Sequence, residues 1–182
     1  MGRDKATLTI GPDGPTFIEA IMATLDAAGV GQVRVVVAPG KIGRHRGEIV
    51  NPDPERGMLS SIQCGLTSLE PAIAAALIWP VDHPFVAAAS VRGIIDAFRA
   101  KRAPIVVPTY DGRRGHPVLF SRSTFDELLT ADPAEGARAV VHAHGDRIEL
   151  PVDDAGVLAD IDTPEDLRGH SPFSYKNREG SN

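Results

Sequence analysis

Cysteine is nearly absent: one residue, Cys64, excludes an internal disulfide and any zinc site built on thiolates. Aromatic side chains make up only 5% of the chain while alanine, valine and glycine abound, which favours helices packed on a sheet over a β-sandwich. No apolar run approaches the roughly 20 residues needed to cross a bilayer, and no signal peptide opens the sequence. It therefore reads as cytoplasmic, with no membrane partner. Basic residues are in the minority, 19 against 24 acidic ones, for a net charge of −5. Nucleic acid is excluded as a partner, because phosphate binding by counterion release needs clustered Lys and Arg. A polyanionic ligand would need the help of a metal ion. A complete phosphate loop, a dinucleotide fingerprint and a recognisable Ser/His/Asp set are also missing, which weakens nucleophilic catalysis by the chain itself.

What remains is an ordinary globular composition, 42% apolar and 24% charged over 182 residues, enough for one domain with a real core. The most informative stretch is the apolar run 72–81, which stops at Asp82 and then at Pro84. Its second half, 77–81, has the continuous apolar character of a buried central strand, and Pro84 cannot extend the ladder. That places Asp82 at the carboxyl end of a central strand, where open α/β sheets bind ligands.

Elsewhere helix and strand signals alternate. Apolar spacing predicts helices over 17–25, 58–69 and 90–102, each punctuated by glycine or a polar turn. Strands are predicted at 33–37, 48–50, 105–107, 118–120, 147–152 and 156–161. Ser123-Thr-Phe-Asp126 has the form of a capping box, and Asp132-Pro133 opens a helix predicted over 134–142. Asp162-Thr163-Pro164-Glu165 opens a last helix. From Gly169 onward the chain is polar and aperiodic, so residues 1–168 read as the domain and 169–182 as a disordered tail. The alternation predicts a three-layer α/β domain with a mainly parallel sheet. No first strand precedes the first helix: the chain opens on the polar Met1-Gly-Arg-Asp-Lys5.

Two carboxylates at neighbouring strand ends, Asp82 and Asp162, can hold one hard cation through oxygen while leaving water positions for substrate phosphates, the usual way of binding Mg²⁺. Arg3, Lys5, Arg113 and Arg114 are the basic candidates for those phosphates. Such a combination suits phosphoryl transfer, which needs positioning and electrostatics more than covalent help. On spacing alone the bland alternatives stay open. Asp82 serves equally as a turn residue, Asp162 as an N-cap, His83 and His116 as local hydrogen-bonding groups, Arg113 and Arg114 as solvated charge, Ser60 and Ser61 as first-turn helix residues.

Five motifs occur in order: Met1-Gly-Arg-Asp-Lys5, Asn51-Pro-Asp-Pro-Glu-Arg-Gly-Met-Leu-Ser-Ser-Ile62, Asp82-His-Pro-Phe85, Gly112-Arg-Arg-Gly-His-Pro-Val118 and Asp160-Ile-Asp-Thr-Pro-Glu-Asp-Leu167. This series resembles the MobA-like nucleotidyltransferases, and most of all their molybdenum cofactor cytidylyltransferase branch. The resemblance implies a Rossmann-like nucleotidyltransferase fold and a Mg²⁺-dependent transfer of a nucleoside monophosphate, CTP favoured and GTP the competitor, to a molybdopterin-type or other phosphorylated small molecule. Pyrophosphate is the product released, and a molybdoenzyme is a conceivable protein partner. It implies Asp82 and Asp162 as metal ligands, with Lys5 the third catalytic group. Arg3, Lys5, Asn51, Gly57, Ser60 and Ser61 fall on the nucleotide side, and Arg113, Arg114 and His116 on the acceptor side. Sugar-phosphate transfer and non-catalytic handling of a nucleotide or cofactor are the alternatives. Relative to the family pattern the chain starts at the Met-Gly of its first motif, so the first strand and most of the triphosphate loop are expected to be missing.

Overall fold

The structure, a computed structural model, describes residues 5–41, 45 and 47–170. Residues 5–7 form a 3-10 turn, and α1 (Phe17–Ala27) follows, burying Phe17, Ile18, Ile21 and Leu25. Thr16 caps α1: its hydroxyl oxygen accepts from the Glu19 N–H, while the Glu19 carboxylate takes the Thr16 backbone N–H. β1 (Val35–Val37) and β2 (Glu48–Val50) pair in parallel as a separate two-stranded sheet. Then come α2 (Met58–Thr67), β3 (Ala75–Ile78), α3 (Ala88–Lys101), β4 (Ile105–Tyr110), β5 (Arg113–Arg114) and β6 (Val118–Ser121). The chain closes with α4 (Phe125–Thr130), α5 (Ala137–Ala143), β7 (Ile148–Pro151) and α6 (Pro164–His170).

In the larger sheet β3 and β4 both lie antiparallel to β6, so they share a sense, and β7 joins β4 in parallel. The common sense expected of a mainly parallel sheet holds for β3, β4 and β7. It is broken by β6 and the two-residue β5, because the loop from β4 to β6 contains no helix, and a short connection returns a strand antiparallel. Alternation along β4 divides the core. Ile105 and Val107 join Phe120, Leu66, Phe125 and Leu128 on one face, whereas Val106 packs with Leu119, Ile94 and Phe98 on the other. These are the three layers expected from the helix–strand alternation. No strand precedes α1 among the described residues beyond an isolated bridge between Thr9 and Thr16.

Several local expectations are corrected. The segment 156–161 is not a strand: Asp154 accepts the Gly156 N–H and starts a 3-10 turn, Ala155–Leu158. α5 starts at Ala137 rather than 134, because the Asp132 carboxylate holds the Ala134 N–H in a turn and Gly136 sits at φ 68°. The capping box at Ser123 does not form, since the Ser123 hydroxyl bonds that of Ser121 and the Thr124 hydroxyl donates to the Ser121 carbonyl. Gly169 and His170 belong to α6; the rest of the expected tail, 171–182, lies outside the described residues, as does Arg3.

Candidate active site

The site grows from the carboxyl end of β3. Beyond Ile78 the chain turns, with the His83 N–H donating to the Pro80 carbonyl and Trp79 Nε1 donating to the His83 carbonyl at 3.0 Å. The Ile161 N–H donates to the Asp82 carbonyl at 2.9 Å, and the His116 N–H to the Val157 carbonyl at 2.8 Å. Asp154 ties the same region together. One carboxylate oxygen takes the Ala87 N–H and the Ser90 hydroxyl at the start of α3, and the other takes the Gly156 N–H. A Cβ on Gly115 would come within 2.3 Å of the Val157 carbonyl oxygen, and one on Gly156 within 2.3 Å of that of Phe85. Three distant segments are thereby pressed together at one rim of the sheet.

On that rim Lys5 Nζ donates to Asp82 Oδ2 at 3.1 Å and to Asp162 Oδ1 at 2.5 Å. Burial works against the ammonium, but the bonds to Asp162 and Asp82 outweigh it and raise the Lys5 pKa. Asp160 and Asp162 flank the buried Ile161 and are themselves exposed. Burial, then the charges of Asp82 and Asp162, raise the Asp160 pKa. Ligand atoms of Asp82, His83 and Asp160 lie within 4.8 Å of one another. The rings of His83 and His116 stand 4.8 Å apart, and Nδ1 of each is buried without a hydrogen-bond partner. Burial pushes both pKa values down, that of His116 to about 4, so both imidazoles are neutral near pH 7. The carboxylate oxygens suit a hard divalent cation, Mg²⁺ or Mn²⁺, and an imidazole among the donors leans the set toward Mn²⁺.

Of the residues singled out by sequence, Lys5, Asp82 and Asp162 meet directly, and His116 joins them through His83. Asn51, Gly57, Ser60 and Ser61 form a second cluster. Asn51 is 2% exposed; its Nδ2 donates to both serine hydroxyls and its Oδ1 accepts the Asp53 N–H, while Ser60 donates to the Gly57 carbonyl. Those bonds fix the loop that leads into α2. Arg113 and Arg114 are exposed on β5, and Arg114 is bonded to Glu149 at 2.6 Å rather than to any group of the acid cluster. Sequence reasoning passed over Asp160 and took His83 for a local hydrogen-bonding group. The signal was present in Asp160-Ile-Asp162, two acids around an apolar anchor, and in the adjacency of His83 to Asp82.

Residues 1–148 match the MobA-like NTP transferase domain. The chain belongs to this family. Over 124 residues it is 24% identical to the molybdenum cofactor cytidylyltransferase of Escherichia coli K12, a stretch covering 65% of this chain but only 59% of that protein. It is 29% identical to a probable molybdenum cofactor guanylyltransferase of Mycobacterium avium, covering 92% of this chain and 87% of that one. Among solved structures, Rv0371c from Mycobacterium tuberculosis H37Rv matches with a TM-score of 0.79 at 30% identity, over 93% of this chain and 89% of that one. Its complex with manganese matches with a TM-score of 0.73 at 28% identity, over 92% and 91%. The α/β chain of this MobA-like protein thus has the Rossmann-like nucleotidyltransferase fold, and the acids of its rim lie beside the lysine of its first motif.

Proposed function

We propose that the protein transfers CMP from CTP to a phosphate of a molybdopterin-type acceptor, with Mg²⁺ bound at the Asp82 rim. An acceptor phosphate oxygen attacks the α-phosphorus, the bond to the bridging oxygen of the β-phosphate breaks, and the electron pair leaves with pyrophosphate. The observation that carries this reading is Lys5 seated between Asp82 and Asp162 at the carboxyl end of β3. When a nucleotide arrives, the Lys5 ammonium moves from the carboxylates to the phosphate oxygens, where negative charge accumulates. Asp82, with Asp162 or Asp160, would hold the cation, which supplies further positive charge at the leaving pyrophosphate. The Asn51, Gly57, Ser60 and Ser61 cluster shapes the nucleotide side, and the first motif assigns Arg3 to the same ligand. His116, Arg113 and Arg114 serve the acceptor. CTP is favoured over GTP because the motifs resemble the cytidylyltransferase branch most.

The test is pyrophosphate release measured with each nucleoside triphosphate, against molybdopterin, an alcohol phosphate and a sugar phosphate, with Mg²⁺ or Mn²⁺. Turnover of CTP with molybdopterin is expected, and Asp82→Ala should lower it on the order of 10²-fold or more. Faster turnover of GTP reassigns the base, and a better alcohol or sugar phosphate reassigns the acceptor. Nucleotide binding that survives Asp82→Ala, with no product from either protein, marks a cofactor-handling role instead and sinks the catalytic reading.

A further inference from the structure

Thr109 of β4 is paired with Arg114 of β5 and also with Pro151 of β7, so β5 and β7 flank β4 on opposite edges. Glu149 stands opposite Val107 in the same ladder, and the Arg114 stem crosses β4 to reach it, a span of about two strand spacings. One carboxylate oxygen of Glu149, Oε1, then accepts four hydrogen bonds. Arg114 donates from Nε and Nη2 at 2.9 and 2.6 Å, and Arg147 from Nε and Nη2 at 3.2 and 3.0 Å. The two guanidinium groups differ in what they have left. Arg147 also spends Nη1, on the carbonyls of His144 and Val141 at the carboxyl end of α5, and its side chain is only 17% exposed. Arg114 Nη1 makes no hydrogen bond among the described residues, and its side chain is 37% exposed. His116, two positions on, is fixed to the acid rim through Val157, so at most about 7 Å of backbone separates it from Arg114.

We propose that Glu149 and Arg147 are positioning residues for the acceptor: they hold one edge of the Arg114 guanidinium so that its other edge, Nη1 and the second N–H of Nη2, grips the acceptor phosphate in two places. The assignment rests on the acceptor side of the reaction proposed above and adds two residues to it. A planar guanidinium has donors enough for both tasks, one edge for a carboxylate and one for a phosphate. An arginine on a two-residue strand would otherwise be ordered by its ligand, at a cost in affinity. Here the carbonyls of α5 order Arg147, Arg147 orders Glu149, and Glu149 orders Arg114 before any ligand arrives. Hydrogen bonds from Arg114, then from Arg147, hold the Glu149 carboxyl below its ordinary value, so the anchor stays charged at neutral pH. Two guanidinium groups on one carboxylate leave the trio positive in a chain whose overall charge is −5, which draws an anion to the open edge. The ligand adds to the ion pair instead of breaking it.

The probe is inorganic phosphate, titrated without nucleotide into the full 182-residue chain labelled with nitrogen-15, and followed through the arginine Nε–H resonances. Arg114→Lys identifies the Arg114 resonance by its loss. That resonance should shift saturably with phosphate. Glu149→Ala and Arg147→Met should each speed exchange of the Arg114 Nε–H with water and weaken phosphate roughly threefold to tenfold. Glu149→Gln, whose amide oxygen still accepts, should restore at least the parent affinity. In turnover assays the Ala and Met variants should raise KM for the acceptor by the same factor and leave KM for CTP unchanged. Tighter phosphate binding by Glu149→Ala overturns the proposal, because Glu149 then competes with the ligand for Arg114. Equal affinity in the parent and all three variants overturns it too, as does an Arg114 resonance that phosphate leaves in place. The expected phosphate pattern in a protein that turns over no nucleotide with any acceptor supports the grip and removes the proposed reaction alone.

Discussion

Replacing Lys5 by methionine keeps the length of the stem and removes the ammonium from between Asp82 and Asp162. The two ion pairs span 3.1 and 2.5 Å, but the Lys5 and Asp162 side chains are 26% and 64% exposed, so the bare Coulomb value must be discounted heavily for solvent. Allowing about 1 kcal/mol for the less exposed pair with Asp82 and about 0.5 kcal/mol for the pair with Asp162 gives about 1.5 kcal/mol, or a factor of roughly ten. A divalent cation approaching Asp82 must overcome that competition in the unsubstituted protein and meets none in Lys5→Met. Manganese titrated without nucleotide, read by electron paramagnetic resonance, should therefore bind Lys5→Met about tenfold more tightly. Lys5→Arg, which keeps the charge, should stay near the unsubstituted value. Nucleotide turnover moves the opposite way, because the phosphates lose their cation. Unchanged or weaker manganese binding in Lys5→Met refutes the idea that the lysine and the metal compete for the same carboxylates.

Gly156→Ala forces a Cβ against the Phe85 carbonyl oxygen, and a shift of the rim should cost about 1–3 kcal/mol by urea denaturation and lower turnover at the same time. Phe120→Ala empties the centre of the sheet, where Phe120 is 2% exposed, and should cost about 3–5 kcal/mol in the same assay. His144 and His116 set opposite pH limits. Burial opposes charge on His144, but hydrogen bonds to Glu127 and Asp146 raise its pKa, so its stabilisation is complete below about pH 6.5 and is lost as pH rises through the raised value. Burial holds His116 near 4, so its contribution is complete above about pH 6.5 and is lost as pH falls toward 4. Thermal melts of His144→Ala across pH 6–9 should show a flatter alkaline limb than the parent; identical limbs would dismiss the role of His144.

Periodicity made α1, α3, β4 and β6 legible because their apolar faces meet a core that has no competitor for them. The class of fold followed from the helix–strand alternation and the ordered motifs, and Asp82 and Asp162 do come together, although Asp162 follows a 3-10 turn rather than a strand and Lys5, expected on the phosphates, lies between them. Residues 156–161 misled because Val157 and Ile161 are buried at strand-like spacing, although Asp154 diverts the backbone into a turn. Asp160 escaped notice since the largest influences on it, burial and the charge of Asp82, 78 positions away, come from the folded chain, with its neighbour Asp162 adding to them. The ion pair of Arg114 with Glu149 of β7 was not legible either, because nothing local to Arg114 shows that Glu149, 35 positions away, lies within reach of it.

Asp154 holds the first turn of α3 and the turn after β7 with one carboxylate. Neither flank can swing out without surrendering hydrogen bonds to the other, so the two are coupled through this one side chain. Under the proposed reaction, acceptors of different size would be accommodated at the exposed tip of the loop between β4 and β6, at Arg113 and Arg114, because His116 at its far end is itself bonded to Val157 of the same rim.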